Sequence, residues 1–249
     1  MSEGQQGGEQ VAADPDNEKP RGWAPGWAAI DAALTRLYPG QVPHQFASKT
    51  AYELATPSPL PAIAVYEVPP TVVAGCQHPA HWHYISYGLS ELFDKTSPDP
   101  EISGFGFELT LRTSKKESES QPPAWGVRLL QALGRFVLSS GEGFDSGHRA
   151  DLGGPLVPGI ATDLRGIAIV PDPTLGRIHT DFGALLFLQV IGLHGDEVEA
   201  MAEMDYQRVV MMLSELDHFA RTELDRPSWL GDPATVPTVR RYRLGIGLP

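Results

Sequence analysis

The chain has a single cysteine, Cys76, in 249 residues. No disulfide can form within it, and a reducing compartment is the natural setting. Basic residues are scarce: 19 Lys and Arg stand against 31 Asp and Glu, a formal charge of -12. Nucleic acid and anionic membrane surfaces need the opposite sign, so neither is an expected partner. A basic protein partner fits that charge, and so does plain solubility. No stretch approaches the ~18 apolar residues of a membrane span. The first residues hold neither a basic stretch nor an apolar core, so no signal peptide is expected and the reading is cytoplasmic. No GxGxxG or GxxxxGKS/T follows a strand, which leaves out the nucleotide-binding fingerprints and calls for no cofactor.

What is present is organised around two aromatic-rich segments with a period of two. In the first, His81, His83, Ile85, Tyr87 and Leu89 share a face, with Trp82, Tyr84, Ser86 and Gly88 opposite. In the second, Phe105, Phe107, Leu109 and Leu111 share a face, with Gly106, Glu108, Thr110 and Arg112 opposite. A polar loop from Asp94 to Ile102 joins them, and an antiparallel pair near the middle of a sheet is expected.

Residues 1–22 are rich in Gly, Gln, Glu, Asp and Pro, the composition of a disordered tail. A domain is expected over 23–220, with a C-terminal tail over 221–249 that has basic residues (Arg240, Arg241, Arg243) and no clear period. Trp27, Ile30, Leu34 and Leu37 predict a helix that ends at Pro39-Gly40. Short strands are expected around Phe46 and Tyr52 and over Ile63–Val68, then a loop from Thr71 to Pro79. After Pro122-Pro123 the stripe Trp125, Leu129, Leu133, Phe136 and Val137 predicts the longest helix. An irregular connection follows over 144–162, then a strand over Ile167–Val170. Ala184–Leu193 is apolar except for Gln189 and Gly192, as suits a strand covered on both faces. Two helices, over Glu197–Met204 and from Tyr206 to Leu216, complete the domain. The order predicts an α+β (mixed α/β) fold with a largely antiparallel central sheet flanked by helices.

Candidate chemistry is sparse. His78, His81 and His83 could together present three imidazoles to zinc, which would make a metal-dependent enzyme. The bland alternative, with no metal, is that His81 and His83 are structural beside Trp82 and Tyr84. Cys76 with His78 lacks an oriented base and an oxyanion site. The carboxylates Glu91, Asp94, Glu101 and Glu108 could pair for acid–base work, although 31 acidic residues make chance pairs expected. Ser86-Tyr87-Gly88 does not form a GxSxG elbow. No catalytic residue is assigned. The aromatics Trp82, Tyr84, Phe105, Phe107 and Trp125 fit an ordinary core, or a binding surface if one face is open.

The run from His81-Trp82-His83-Tyr84 to Glu91-Leu92-Phe93 resembles the hallmark stretch of the suppressor of fused family. Ser103-Gly104-Phe105-Gly106-Phe107-Glu108-Leu109-Thr110 resembles its second block. The resemblance continues through Pro123, Trp125, Leu129–Val137, Phe144, Ser146-Gly147, Phe182-Gly183 and Phe187–Gly192, and covers Trp27 to Leu216. It implies a mixed α/β domain without enzymatic activity. It marks His81, Trp82, His83, Gly104, Phe105, Gly106 and Phe107 as the structural motif. Two-domain animal members of the family restrain Gli transcription factors by holding a peptide between their domains. This chain resembles only the first domain, so the two-sided clamp is not carried over and Gli is not the expected partner. Single-domain members are typical of bacteria, where many resemble immunity or antitoxin proteins that neutralise a toxin by binding it.

The expectation is therefore a non-enzymatic protein-binding domain of bacterial type, with a toxin as the sharper reading of its partner. The alternatives are the metal-dependent enzyme and a regulator that sequesters a transcription factor. The residues expected at the binding surface are Tyr84, Tyr87, Glu91, Asp94 and Glu108, with tyrosines as anchors and carboxylates as charge complement.

Overall fold

The computed structural model describes residues 23–47, 59–73 and 75–246. The expected tail over 1–22 and the strand expected around Tyr52 lie outside the described residues. Helix α1 (Pro25–Leu37) begins on a proline, and no side chain caps it. Its amides at Gly26 and Trp27 donate instead to the carbonyl of Leu92, at 3.2 and 3.4 Å. That satisfies donors every helix start leaves open, and it seats α1 on the loop after the first central strand.

Strands β1 (His44–Ala47) and β2 (Ala62–Val68) follow, then β3 (Thr71–Val73), β4 (Cys76–His78), β5 (His81–Tyr87) and β6 (Ile102–Ser114). Helix α2 (Ala124–Ser140) leads to β7 (Arg149–Asp151), β8 (Leu164–Pro171), β9 (Arg177–Thr180) and β10 (Gly183–His194). Helices α3 (Gly195–Ala202), α4 (Tyr206–Leu216) and α5 (Val236–Leu244) end the described chain.

Eight strands form one sheet in the order β1-β2-β5-β6-β10-β8-β7, with β9 paired to β10. Its pairings are antiparallel except for β6 with β10. The central pair is as the alternation predicts, with Tyr84 opposite Leu111 and Ile85 opposite Thr110. The fold is mixed α+β, with a large, mostly antiparallel sheet.

Alternation in β6 then sorts the core. Phe107, Leu109 and Leu111 pack on Leu129, Leu130, Leu133 and Val137 of α2, together with Trp82 and Tyr84. On the opposite face, Ile85 and Tyr87 pack on Ile30 and Leu34 of α1 with Phe187. Further along that face, Ile191 and Leu193 meet Met201, Val209, Met212 and Leu213 of α3 and α4. Both faces of the sheet are thus covered, and β10 is buried on both sides as its apolar run requires.

Three expectations are corrected. Thr71–Val73 and Cys76–His78 pair as the antiparallel strands β3 and β4 rather than lying in a plain loop. The irregular connection contains β7. On α2, Leu130 is buried while Phe136 stands half exposed, because α2 turns its Leu129, Leu130, Leu133, Val137 side to the sheet. Residues 221–246, whose structure the sequence leaves open, pack on the domain: Val239 and Tyr242 of α5 are buried against α4. Arg241 pairs with Glu215, and Arg243 reaches Glu203 at 2.6 Å.

Candidate functional site

Two polar constructions lie on the α1 side of the central strands. The first is sealed. Arg112, fully buried, donates from Nη1 to Asp172 Oδ2 at 2.6 Å and from Nη2 to Asp172 Oδ1 at 3.1 Å. Nη1 also donates to Gln189 Oε1, and Nη2 to Thr174 Oγ1 at 2.6 Å. Asp172 Oδ2 further accepts from Thr110 Oγ1 at 2.8 Å and from His83 Nε2 at 3.1 Å. Tyr38 OH lies 2.6 Å from His83 Nδ1. With Nε2 donating to the carboxylate, Nδ1 is left to accept from the tyrosine, which fixes the neutral tautomer. Burial and the Arg112 charge both push His83 down, to about 4. The same two causes push His81 down, to about 3. Against its burial, the Arg112 charge and the hydrogen bonds from His83 and Arg112 hold the Asp172 carboxyl well below the usual range. A Tyr–His–Asp series can relay a proton. Here His83 is 0% exposed, so no substrate reaches it without opening the core. The series serves to lock α1, β5, β6, β10 and the β8–β9 turn together.

The second construction is open. Glu108 projects from β6 and accepts from the amides of Gly88, Leu89 and Ser90 at 2.8, 3.1 and 2.9 Å. It also accepts from the hydroxyls of Ser90 and Ser86 at 2.6 and 2.5 Å. The chain then turns through Glu91, whose carboxylate gathers the rest of the loop. It accepts from the amides of Thr96, Ser97 and Gly104, and from Lys95 Nζ at 3.0 Å. Burial alone would raise Glu91, but the Ser97 and Thr96 amides and Lys95 bring it down to about 2. Gly104 holds φ +58°, and a Cβ there would stand 2.6 Å from the Leu89 carbonyl oxygen, so only glycine closes the loop this way. The result is a cleft of about 560 Å³ lined by Leu92, Phe93, Asp94, Phe105 and Leu138 among others. Phe93 is 49% exposed at its edge.

Of the five residues expected at a binding surface, Tyr84, Tyr87 and Glu108 are corrected to internal positions, at 0%, 1% and 0% exposure. Tyr84 OH donates to the Pro123 carbonyl at 2.9 Å, and Tyr87 OH to Asp31 at 2.8 Å. Glu91 is buried as the loop organiser, and Asp94 is exposed on the cleft. In the motif, His81, Trp82 and His83 are buried within β5, and Gly104, Phe105, Gly106 and Phe107 lie in β6.

The three histidines do not converge. The His78 ring lies tilted against His218 and edge-on to Phe219, His81 Nδ1 faces the Pro79 carbonyl, and both His83 nitrogens are engaged. Among the described residues no group of three His, Cys, Asp or Glu could hold a metal ion. Cys76 is exposed on β4. No helix among the described residues is long and apolar enough to cross a membrane. Sequence reasoning missed Asp172, Arg112 and Gln189 as a unit. The available signal was polar residues on one face of strands that are otherwise apolar.

His81 and His83 set an acid limit. In the unfolded chain each binds a proton near 6.5, while in the fold they resist until about 3 to 4. Their contribution is therefore present above 6.5 and lost as pH falls towards 4. Glu108 acts oppositely, since its raised folded value favours the fold at low pH. The two histidines less Glu108 leave about one extra proton on the unfolded chain. Unfolding free energy should fall by roughly 1 kcal/mol per pH unit between about 6 and 5, and more steeply below that as Glu91 takes up a proton in the unfolded chain. Urea melts across that range check it. Stability that stays flat or rises as pH falls would mean that His81 and His83 do not both resist protonation in the fold.

Taken together, the covered sheet, its strand order and the loop-built cleft define a mixed α+β domain with both sheet faces covered by helices. The chain of the Sufu–Fu complex crystal structure is similar with TM-score 0.76 at 31% identity, over 86% of this chain and 97% of that one. Drosophila Suppressor of Fused is similar with TM-score 0.76 at 31% identity, over 92% of this chain and 57% of that one. The family model described as Suppressor of fused protein (SUFU) matches residues 61–227. The human Suppressor of fused homolog is 35% identical over 195 residues, 76% of this chain. This chain belongs to the suppressor of fused family, and it spans 40% of the length of the curated relatives it matches.

Proposed function

We propose that this chain is a non-enzymatic protein-binding domain that holds a partner stoichiometrically at the cleft of the 88–104 loop. The observation that carries this reading is a rigidly built cleft with an exposed aromatic at its edge. Two buried carboxylates hold the loop, so little order is lost on binding. Phe93 and Leu138 are exposed apolar groups lining it, and exposed groups of that kind serve as anchors. A relative solved as the Sufu–Fu complex supports a protein as the ligand. Asp94, Asp99 and Glu101 lie exposed on the same loop. With the net charge of -12 they favour a basic partner. The sharper reading is a bacterial immunity protein that neutralises a basic toxin in the cytoplasm, where the exposed Cys76 stays a thiol.

Phe93→Ala should weaken binding of the partner recovered from the native host by tenfold or more, as loss of an aromatic anchor does. Asp94→Lys should slow association and reduce its salt dependence. Both variants should melt like the parent. Titration calorimetry and stopped-flow mixing read the two effects, and unchanged affinity in both variants would put the binding surface elsewhere.

A further inference from the structure

Glu108 is a fully buried carboxylate in mid-strand, and every one of its five partners belongs to the segment Ser86–Ser90. We propose that Glu108 is a proton-operated latch on the cleft: ionised, it pins Gly88–Ser90, and protonated, it releases them. This rests on the cleft being the binding site, and it adds how that site is regulated.

The hydrogen-bond inventory says where a proton can go. Oε1 faces three backbone amides and the Ser90 hydroxyl, and amides can only donate. The proton must therefore enter on Oε2, beside Ser86 Oγ at 2.5 Å. Ser86 Oγ already accepts from the Leu109 amide at 2.8 Å. A protonated Oε2 would donate into the remaining lone pair of Ser86, whose own hydrogen then loses its acceptor. Meanwhile Oε1 becomes a neutral carbonyl oxygen. Hydrogen bonds to a charged acceptor are roughly twice as strong as neutral ones, so four donors slacken together. Leu89 and Ser90 line the cleft, and the Leu89 carbonyl accepts from the Phe105 amide at 2.9 Å, so the change reaches the cleft wall directly.

The surroundings favour a proton exchanged near neutral pH. Burial pushes the Glu108 carboxyl up, against the pull of Ser86, Ser90 and Gly88, to about 7. Among the described residues no cation pairs with it: Arg112, on the same strand face, is held by Asp172 and Gln189, and Lys95 by Glu91. From α1, Asp31 holds the neighbouring Tyr87 hydroxyl. From β5, His83 is engaged by Asp172 and Tyr38. The sign is distinctive. A raised folded value stabilises the whole fold below about 4.5, an effect lost as pH rises through about 7. Loop order should move the other way, tightening as pH rises.

The test uses the full chain, isotopically labelled, with no partner. Carbon-13 shifts of the Glu108 carboxyl are followed from about pH 5 to 9. Amide exchange at Gly88, Leu89 and Ser90 is followed in parallel and corrected for intrinsic rates. Protection should fall about tenfold between pH 8 and 6, with the midpoint of the carboxyl titration. Glu108→Gln presents a neutral carbonyl to the loop and should show the low protection at both pH values. A carboxyl that does not titrate in this range, or protection that stays flat, overturns the latch. If Glu108→Gln does not fold, the parent titration decides alone. Because no binding is measured, loss of the cleft as a partner site would leave these readouts intact.

Discussion

Asp172→Ala is expected to cost about 3–5 kcal/mol of stability, the loss typical when one member of a buried ion pair is removed. Asp172 takes both Arg112 nitrogens, His83 and Thr110 from the sheet. It also accepts the Thr174 and Leu175 amides of its own turn, each at 2.9 Å. Alanine would leave the Arg112 guanidinium without its counter-charge at 0% exposure, with Nε already unpartnered. Desolvation of that charge dominates, since the remaining partners, Gln189 and Thr174, are neutral. Urea denaturation reads the change. A loss under about 1 kcal/mol would mean that water or a rearranged side chain takes over the charge. Arg112→Met with Asp172→Leu should recover much of the loss, because an apolar pair removes both desolvation costs. If the double variant is as unstable as Asp172→Ala, the network contributes more than charge balance.

That network also shows where a sequence stops being legible. The alternation in β5 and β6 identified the central pair and its faces, and the apolar run identified β10. Alternation assigns residues to faces without saying what covers each face. Tyr84 lies on one face and Tyr87 and Glu108 on the other, and each fits a surface as well as a core until both covering layers are known. Here α2 covers one side and α1 the other, so all three turn inward. The strands β7 and β9 have three and four residues, too few to show a period, and exist through pairing with longer neighbours. Helix α5 buries only Val239 and Tyr242, so it has no apolar stripe to read. Arg112 and Asp172 are 60 residues apart, and their meeting is set by the β8–β9 turn, which no local pattern announces. Of the cleft, Glu91 and Asp94 were found as acidic residues next to the motif. Their division of labour, one building the loop and one facing solvent, needed the fold.

Glu197→Ala is expected to cost about 3 kcal/mol, because it strands Arg226 and loosens the segment beyond residue 220. Glu197 sits at the start of α3, with its carboxylate side chain 2% exposed. It accepts from Arg226 Nη1 at 2.6 Å, from the Trp229 amide at 2.8 Å and from the His194 amide at 2.8 Å. The Arg226 guanidinium lies 3.8 Å from the centre of the Trp229 ring and donates to the Gly192 carbonyl at 2.9 Å. One carboxylate therefore fastens the C-terminal segment both to α3 and to the end of β10. Upstream of it, the Thr222 amide donates to the Arg112 carbonyl at 2.8 Å, and its hydroxyl accepts from the Gly192 amide at 2.9 Å. A chain shortened after Ala220 loses all of these partners and exposes the faces covered by Val239 and Tyr242. It should lose cooperative unfolding and near-ultraviolet circular dichroism, whereas Glu197→Ala should keep both with a lower midpoint. Cooperative melting of the shortened chain at the parental temperature would show the C-terminal segment to be dispensable to the core. A full loss of structure in Glu197→Ala would make its ion pair indispensable rather than one fastening among several.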